Sequence, residues 1–287
     1  MTIQRSDLMI GREVTGPTAI GTDRHRFWNL TWTLAITEFK LRFFGSVLGY
    51  FWQLMRPLLL FAILYAVFVG ILKSGGGEPM FGVALLLGIV VFQFFTDATS
   101  LAVKSLVANE GLIRKVDFPR AVIPTSCALQ ALFNFLLNLV PVAIFLFAAG
   151  GRISWGWLAI PPIIAMLLLF VTGLSLFLSA LYVSFRDVDP IWAVVSQALF
   201  YGTPILYSLS VVSDKIGTRA AGLMLLNPLA TAIQSLRHFV VSPEYESPSD
   251  VFGSWAGVLA PCLIASICFA LGVWYFGRSA SRIAEKL

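Results

Sequence analysis

Residues Asn109–Pro124 read NEGLIRKVDFPRAVIP. This island carries Glu110, Arg114, Lys115, Asp117 and Arg120, and apolar sequence runs almost unbroken on either side of it. It is too short for a domain. Its charges are too dense for hydrocarbon, where each ionised group at the centre of a helix costs roughly 3 kcal/mol. It therefore reads as a loop between two membrane crossings, and the apolar runs that flank it decide the fold.

The whole chain supports that reading. Its 287 residues are 58% hydrophobic and 12% charged, with a mean hydropathy of +0.84. Soluble domains carry roughly a quarter of their residues as charges. Six runs reach the roughly 20 apolar residues that a helical crossing requires: about Phe51–Leu72, Met80–Leu101, Ala121–Ala149, Ile153–Phe185, Ile191–Val212 and Val251–Gly277. The ~10-residue alternation of a transmembrane β-barrel is absent from the pattern. The expected fold class is thus an all-α integral membrane protein with six transmembrane helices.

Basic residues set the expected orientation. With the N-terminus inside, fifteen Lys and Arg fall on the cytoplasmic side, against Lys73, Arg152, Lys215, Arg219 and Arg237 outside. This is a strong positive-inside asymmetry. It predicts a multi-pass plasma (inner) membrane protein with both termini in the cytoplasm. Residues 1–26 form a polar cytoplasmic segment without the apolar core of a signal peptide. The bases flank apolar runs rather than clustering on a soluble domain, so the net charge of +5 does not indicate nucleic acid.

Two regions are neither spans nor simple loops. Before the first span, Trp28, Trp32, Ile36, Phe39 and Phe43 recur at steps of three and four, while Thr33, Thr37, Lys40 and Arg42 take other faces. That spacing predicts an amphipathic interface helix over 28–46 that lies among membrane lipids at the cytoplasmic surface. Gly45 and Gly49 supply the bend into the first span. Before the last span, the external stretch 213–250 contains AAGLMLLNPLATAIQSLRHFVV, interrupted at Asn227-Pro228. Each half is too short to cross, so two short helices that dip back into the outer membrane face are expected, the alternative being a small amphipathic cap on that face.

Catalytic chemistry is not legible in the sequence. Asp97 is the one acid inside an expected span, roughly 25 Å along a helix from Met80, and reads as a solvated helix end. His25 and His238 fall on opposite sides of the membrane, and Cys127, Cys262 and Cys268 sit singly in apolar runs, so neither a metal site nor a catalytic residue is assigned. The phosphate loop GxxxxGK[ST] does not occur. Aromatic residues abound instead. Phe92 and Phe95 in the second span, with Trp192, Phe200, Tyr201 and Tyr207 in the fifth, are the candidate lining of a substrate path, because aromatic faces stack on sugar rings.

Four ordered blocks resemble a known family: EFKLRFFGSVLGYFWQLMRPLLL (Glu38–Leu60), NEGLIRKVDFPRAVIP, FRDVDPIWAVVSQALFYGTPILY (Phe185–Tyr207) and LNPLATAIQSLRHF (Leu226–Phe239). From about Trp28 to the C-terminus the chain resembles the membrane (permease) subunit of a type 2 ABC exporter of the polysaccharide and polyol-phosphate group. That group moves lipid-linked O-antigen, capsule, teichoic acid or galactan. Thr37 departs from the pattern, since relatives often carry Arg before Glu-Phe. The resemblance implies a homodimer with two copies of a separate ABC ATPase, with ATP and Mg on that partner and no cofactor on this chain. It implies that Asn109, Glu110, Arg114, Lys115, Asp117, Phe118 and Arg120 form the coupling helix (109–120), and that Asn227, Pro228, Arg237 and His238 belong to an external gate. Spans one and five then line the path of the lipid-linked glycan. An exporter of a drug or small lipid, and a membrane enzyme acting on polyprenyl-linked sugars, are the alternatives.

Overall fold

The computed structural model describes residues 23–43, 49–73, 78–116 and 118–286. Among them all regular structure is helical, in the order α1 (Arg24–Phe43), α2 (Gly49–Tyr65, continued as a π-helical turn over Ala66–Ile71), α3 (Phe81–Ala108), α4 (Glu110–Lys115), α5 (Val122–Ala148), α6 (Ile160–Ser184), α7 (Val188–Gly202), α8 (Leu209–Lys215), α9 (Thr218–Leu225), α10 (Pro228–Leu236), α11 (Pro248–Phe252) and α12 (Trp255–Lys286). The N-terminal segment to residue 22, the end of the expected interface helix at 44–46 and Asp117 lie outside the described residues.

Among the described residues five helical stretches are long and apolar enough to cross a membrane: Phe51–Ile71, Phe81–Ala108, Val122–Ala148, Trp155–Ser184 and Gly257–Ser279. The expected fifth span, 191–212, is not one helix. α7 has 15 residues, about 22 Å of rise, and stops before Thr203-Pro204. The proline forces Thr203 out of the helical region, to φ −97° and ψ 140°. A separate helix then starts at α8, where the Ser208 hydroxyl accepts from the Ser210 backbone N–H.

Burial, not apolarity, separates the helices by position in the bundle. In the most apolar window of α3, 72% of residues are buried, against 11% for that of α2. α3 is therefore the central post, with α5 and α6 packed along it and α2 at the periphery, its face of Phe51, Trp52, Leu59 and Ile63 uncovered. α6 and α12 approach closely at a pair of glycines. A Cβ on Gly272 would lie 2.1 Å from the Gly173 carbonyl oxygen, so backbone meets backbone at that crossing. A second cluster, built from Leu106, Phe118, Val122, Ile123, Leu176 and Phe276, closes the end of the bundle that carries α1 and α4.

Candidate transport site and coupling surfaces

A cavity of about 600 Å³ opens between α2, α3 and α7. Helical periodicity explains its lining. Arg56, Leu60 and Leu64 recur every four residues on α2, while Gln93, Asp97 and Ser100 follow one stripe of α3. Ser196, Gln197, Phe200 and Tyr201 form the facing stripe of α7. The result is two-sided, with an apolar wall that includes Leu60, Phe92 and Phe200 and a polar pole at Arg56, Gln93, Asp97, Ser196 and Gln197. Asp97 is thus not a solvated helix end. The charges of Arg42 and Arg56 both act on it, and the Gln53 and Gln93 side chains face it.

The six expected lining residues part company. Phe92, Phe200 and Tyr201 line the cavity, with the Phe92 and Phe200 rings edge to face at 5.1 Å and Tyr201 59% exposed. Phe95 does not. It is fully buried, with Phe170 on one side at 6.1 Å and Trp192 on the other at 5.9 Å. The Trp192 Nε1–H donates to Thr99 Oγ1 at 3.0 Å, so this indole ties α7 to α3 instead of facing the path. Tyr207 lies beyond α7, where its hydroxyl donates to the Tyr201 carbonyl at 3.2 Å.

The charged island also divides. Asn109 closes α3, its Nδ2 donating to the Ser105 carbonyl at 2.9 Å. α4 stands outward, stiffened by the Glu110–Arg114 pair at 2.8 Å, and leaves Leu112, Lys115 and Val116 exposed. Phe118 and Arg120 turn inward. Phe118 enters the cluster at the foot of the bundle and Arg120 is only 9% exposed, so these two anchor the segment rather than present a surface.

α1 packs along α5 through its small residues, with part of its aromatic stripe at the edge of the contact. Thr31 and Ala35 are fully buried, whereas Trp28 and Trp32 are more than half exposed. Small side chains let the two helices approach, and Trp32 and Phe39 flank Phe133 of α5 at 5.4 and 5.8 Å. Ile36 is partly buried at the edge, and Lys40 and Arg42 are exposed. Of the aromatic stripe, Trp28 and Trp32 thus keep more than half of their surface uncovered, while Phe39 and Ile36 are partly buried.

In the segment 213–250, α9 and α10 are separate helices divided at Asn227-Pro228. Asn227 Oδ1 accepts from the Leu229 N–H at 3.0 Å and Pro228 occupies the first turn, a strong helix start. Arg237, at the end of α10, is 2% exposed. Its guanidinium donates to the carbonyls of Pro204 and Ile205, both at 2.8 Å, and more weakly to Ala84 and Tyr207 at 3.4 and 3.5 Å. It thus holds the broken backbone after α7 against α3 and α10. His238 Nδ1–H donates to the Tyr245 carbonyl at 2.6 Å. Burial pushes the Tyr245 phenol up to about 12, and that hydroxyl donates to the Pro79 carbonyl at 2.8 Å. Among the described residues no group of three or more His, Cys, Asp or Glu side chains could hold a metal ion.

Residues 29–241, from within α1 to the π-helical turn after α10, match the ABC-2 type transporter family. The chain belongs to that family. This ABC-2 chain is accordingly a multi-pass membrane component of a transporter. It is 34% identical over 253 residues to the O-antigen export system permease protein RfbA of Klebsiella pneumoniae, covering 87% of this chain and 92% of that one. RfbA of Myxococcus xanthus is 29% identical over 212 residues, 74% of this chain and 80% of its own length. The polysialic acid transport protein KpsM of Escherichia coli is 23% identical over 216 residues, 75% of this chain and 81% of its own.

Sequence reasoning missed the polar pole of the ABC-2 chain. The signal was present, since Gln93, Asp97 and Ser100 on α3 and Ser196 and Gln197 on α7 are polar stripes at helical spacing inside apolar runs. It also missed Leu112 and Val116, whose exposure depends on how α4 leaves α3.

Proposed function

We propose that this ABC-2 chain is the membrane subunit of an ATP-driven exporter that carries a lipid-linked polysaccharide, of the O-antigen, galactan or teichoic-acid type, from the cytoplasmic to the outer face of the plasma membrane. The observation that carries this reading is 34% identity, over nearly the whole length of both chains, to O-antigen export permeases. The aromatic and polar cavity at α2, α3 and α7 supports it, because a glycan needs ring faces to stack on and polar groups for its hydroxyls. Two copies of the chain assemble as a homodimer, and the uncovered apolar face of α2 is consistent with a partner there. Two copies of a separate ATPase bind ATP and Mg.

In this mechanism both termini are cytoplasmic and ATP-driven closure of the ATPases pushes on α4. Arg114, Lys115, Leu112 and Val116 form the contact, while Phe118 and Arg120 pass the movement to the foot of the bundle. The outer helices, held at Asn227 and Arg237, re-enter the outer leaflet and gate the exit. The test is co-expression with a candidate ABC ATPase partner in a host that makes a lipid-linked glycan and lacks its own exporter. Surface glycan should appear only with both subunits and with an ATPase able to hydrolyse ATP. Glycan that remains on the cytoplasmic face when both are present refutes the assignment.

A further inference from the structure

α10 and the chain that follows it are joined through two consecutive backbone carbonyls. Gln234 Nε2 donates to the Glu246 carbonyl at 2.7 Å, and His238 Nδ1–H donates to that of Tyr245 at 2.6 Å. The other half of the Gln234 amide is left over. Gln234 is 1% exposed, and its Oε1 has no hydrogen-bond partner. Glu246 Oε2 is likewise shielded from solvent and without a partner. Two buried acceptors that lack a hydrogen therefore sit on residues already bonded to one another. Each costs free energy while it stays unpaired, and one shared hydrogen would satisfy both.

The surroundings disfavour an ionised carboxylate at Glu246. Asp214 on α8, Asp250 on α11 and Glu78 in the turn before α3 all act on it with like charge. Two of these acids have donors of their own. Glu78 accepts from the Ser210 hydroxyl at 3.1 Å, and Asp250 from the Ser247 backbone N–H at 3.0 Å. Among the described residues no base on the packed elements, Lys215, Arg219, Arg237 or His238, forms an ion pair with Glu246. Arg237 is held by the Pro204 and Ile205 carbonyls, and His238 acts on Asp250. Tyr245 donates to Pro79, and Glu244 is exposed. Burial, and after it the three acids, lifts the Glu246 carboxyl above the usual carboxylate range. Hydrogen bonds from Ser247 hold Asp250 below that range. The acids do not converge as a metal-binding group among the described residues. A proton fits instead, since it removes the charge and turns one carboxyl oxygen into a donor.

We propose that Glu246 is a proton-operated latch between α10 and residues 242–247. Protonated, its carboxyl donates to Gln234 Oε1 and holds those residues against α10. Ionised, it is repelled by Asp214, Asp250 and Glu78, and the same residues loosen. Arg237, at the end of α10, grips the backbone beyond α7, so the latch reaches the proposed gate. Its effect on transport rests on the export reading and adds a control to it: acid at the outer face holds the gate closed. The sign follows from linkage. The penalty of the ion is present in full above the raised value, fades as the pH falls through it, and is gone below the ordinary carboxylate value. Asp250 acts in the opposite sense and in a lower window, because its stabilisation is lost only as the pH falls through its depressed value.

The experiment compares unfolding midpoints of the full-length detergent-purified chain at pH 8 and pH 5. Glu246→Gln carries a neutral donor in the place of the protonated acid. It should exceed the parent by about 2–4 °C at pH 8 and match it at pH 5. Glu246→Ala, which loses charge and donor together, should gain less at pH 8 and fall below the parent at pH 5. Asp214→Asn, at an exposed position, covers the case in which Glu246→Gln fails to fold. It should raise the midpoint at pH 8 by a smaller amount and leave it unchanged at pH 5. Histidine changes charge between pH 5 and 8, so the comparison is repeated with His238→Gln, where the pH-dependent difference should persist. A difference between parent and Glu246→Gln that is the same at both pH values overturns the latch. So does its loss with His238→Gln, or an Ala variant equal to Gln. Magnesium chloride that raises the parent midpoint at pH 8 above sodium chloride of equal ionic strength, and not that of Glu246→Gln, assigns the acids to a divalent cation and overturns the proton. In cells, export by the parent should fall as the medium is acidified from pH 8 to pH 5, and Glu246→Gln should be low at both. Midpoints as described without export at either pH refute the export reading alone. Export without a pH-dependent difference in midpoint refutes the latch alone.

Discussion

Replacing Arg237 by Met tests the most buried charge in the segment 213–250. The side chains are of comparable length, so the substitution removes the charge and its donors while leaving most of the packing. Two carbonyls, those of Pro204 and Ile205, lose guanidinium bonds of 2.8 Å. Hydrogen bonds to a charged group contribute about 1.5–3 kcal/mol each. Relief from burying a cation, itself worth several kcal/mol, offsets part of that loss. The expected net loss is about 2–4 kcal/mol, roughly 4–8 °C in an unfolding midpoint for a chain of this size. Thermal unfolding of the detergent-purified protein at a fixed scan rate measures it. Arg237→Lys should fall between, because one ammonium cannot reproduce the planar fork that spans both carbonyls. Export should fall with Met even at temperatures where the protein stays folded, since the end of α7 is then no longer fixed to α10. A Met variant as stable and as active as the parent refutes this account of Arg237.

Other substitutions separate packing from surface roles. Gly272→Ala places a methyl 2.1 Å from the Gly173 oxygen. It should force α6 and α12 apart at a cost of about 1–3 kcal/mol, read as a lower unfolding midpoint. Phe118→Ala should destabilise by about 3 kcal/mol through the cavity it leaves. By contrast, Leu112→Asp on the exposed face of α4 should leave the midpoint unchanged and abolish ATPase co-purification. Tyr201→Ala should lower glycan export without loss of the ATPase. Trp192→Phe should leave export intact and cost about 1 kcal/mol for the lost bond to Thr99; a larger export defect for Trp192 than for Tyr201 would reverse their roles.

Much of the fold was legible because it depends on short-range rules. Asn227-Pro228 divides α9 from α10 since a side-chain cap and a proline act within one turn. The charged island lies between α3 and α5 because charge and lipid do not mix. The break at Thr203-Pro204 was equally local, yet it was read through, because hydropathy over 191–212 outweighs a single proline in a window average. The site was less legible. Phe92 and Phe95 stand one helical turn apart, and only the neighbours of α3 decide that one meets the cavity and the other meets Phe170 and Trp192.

The sequence by itself determined that the chain is helical, that it crosses the membrane repeatedly, and where its charged and broken segments fall. Each of these follows from the free energy of one segment in water or hydrocarbon. Tertiary structure alone decided that Asp97 shares a cavity with Arg56 and Gln197, that Arg237 holds the carbonyls beyond α7, and that Phe118 anchors while Leu112 is exposed. A helix that is apolar on every side carries no record of which face will meet a neighbour. That choice is made by close packing between helices distant in sequence, so it appears only when they are assembled.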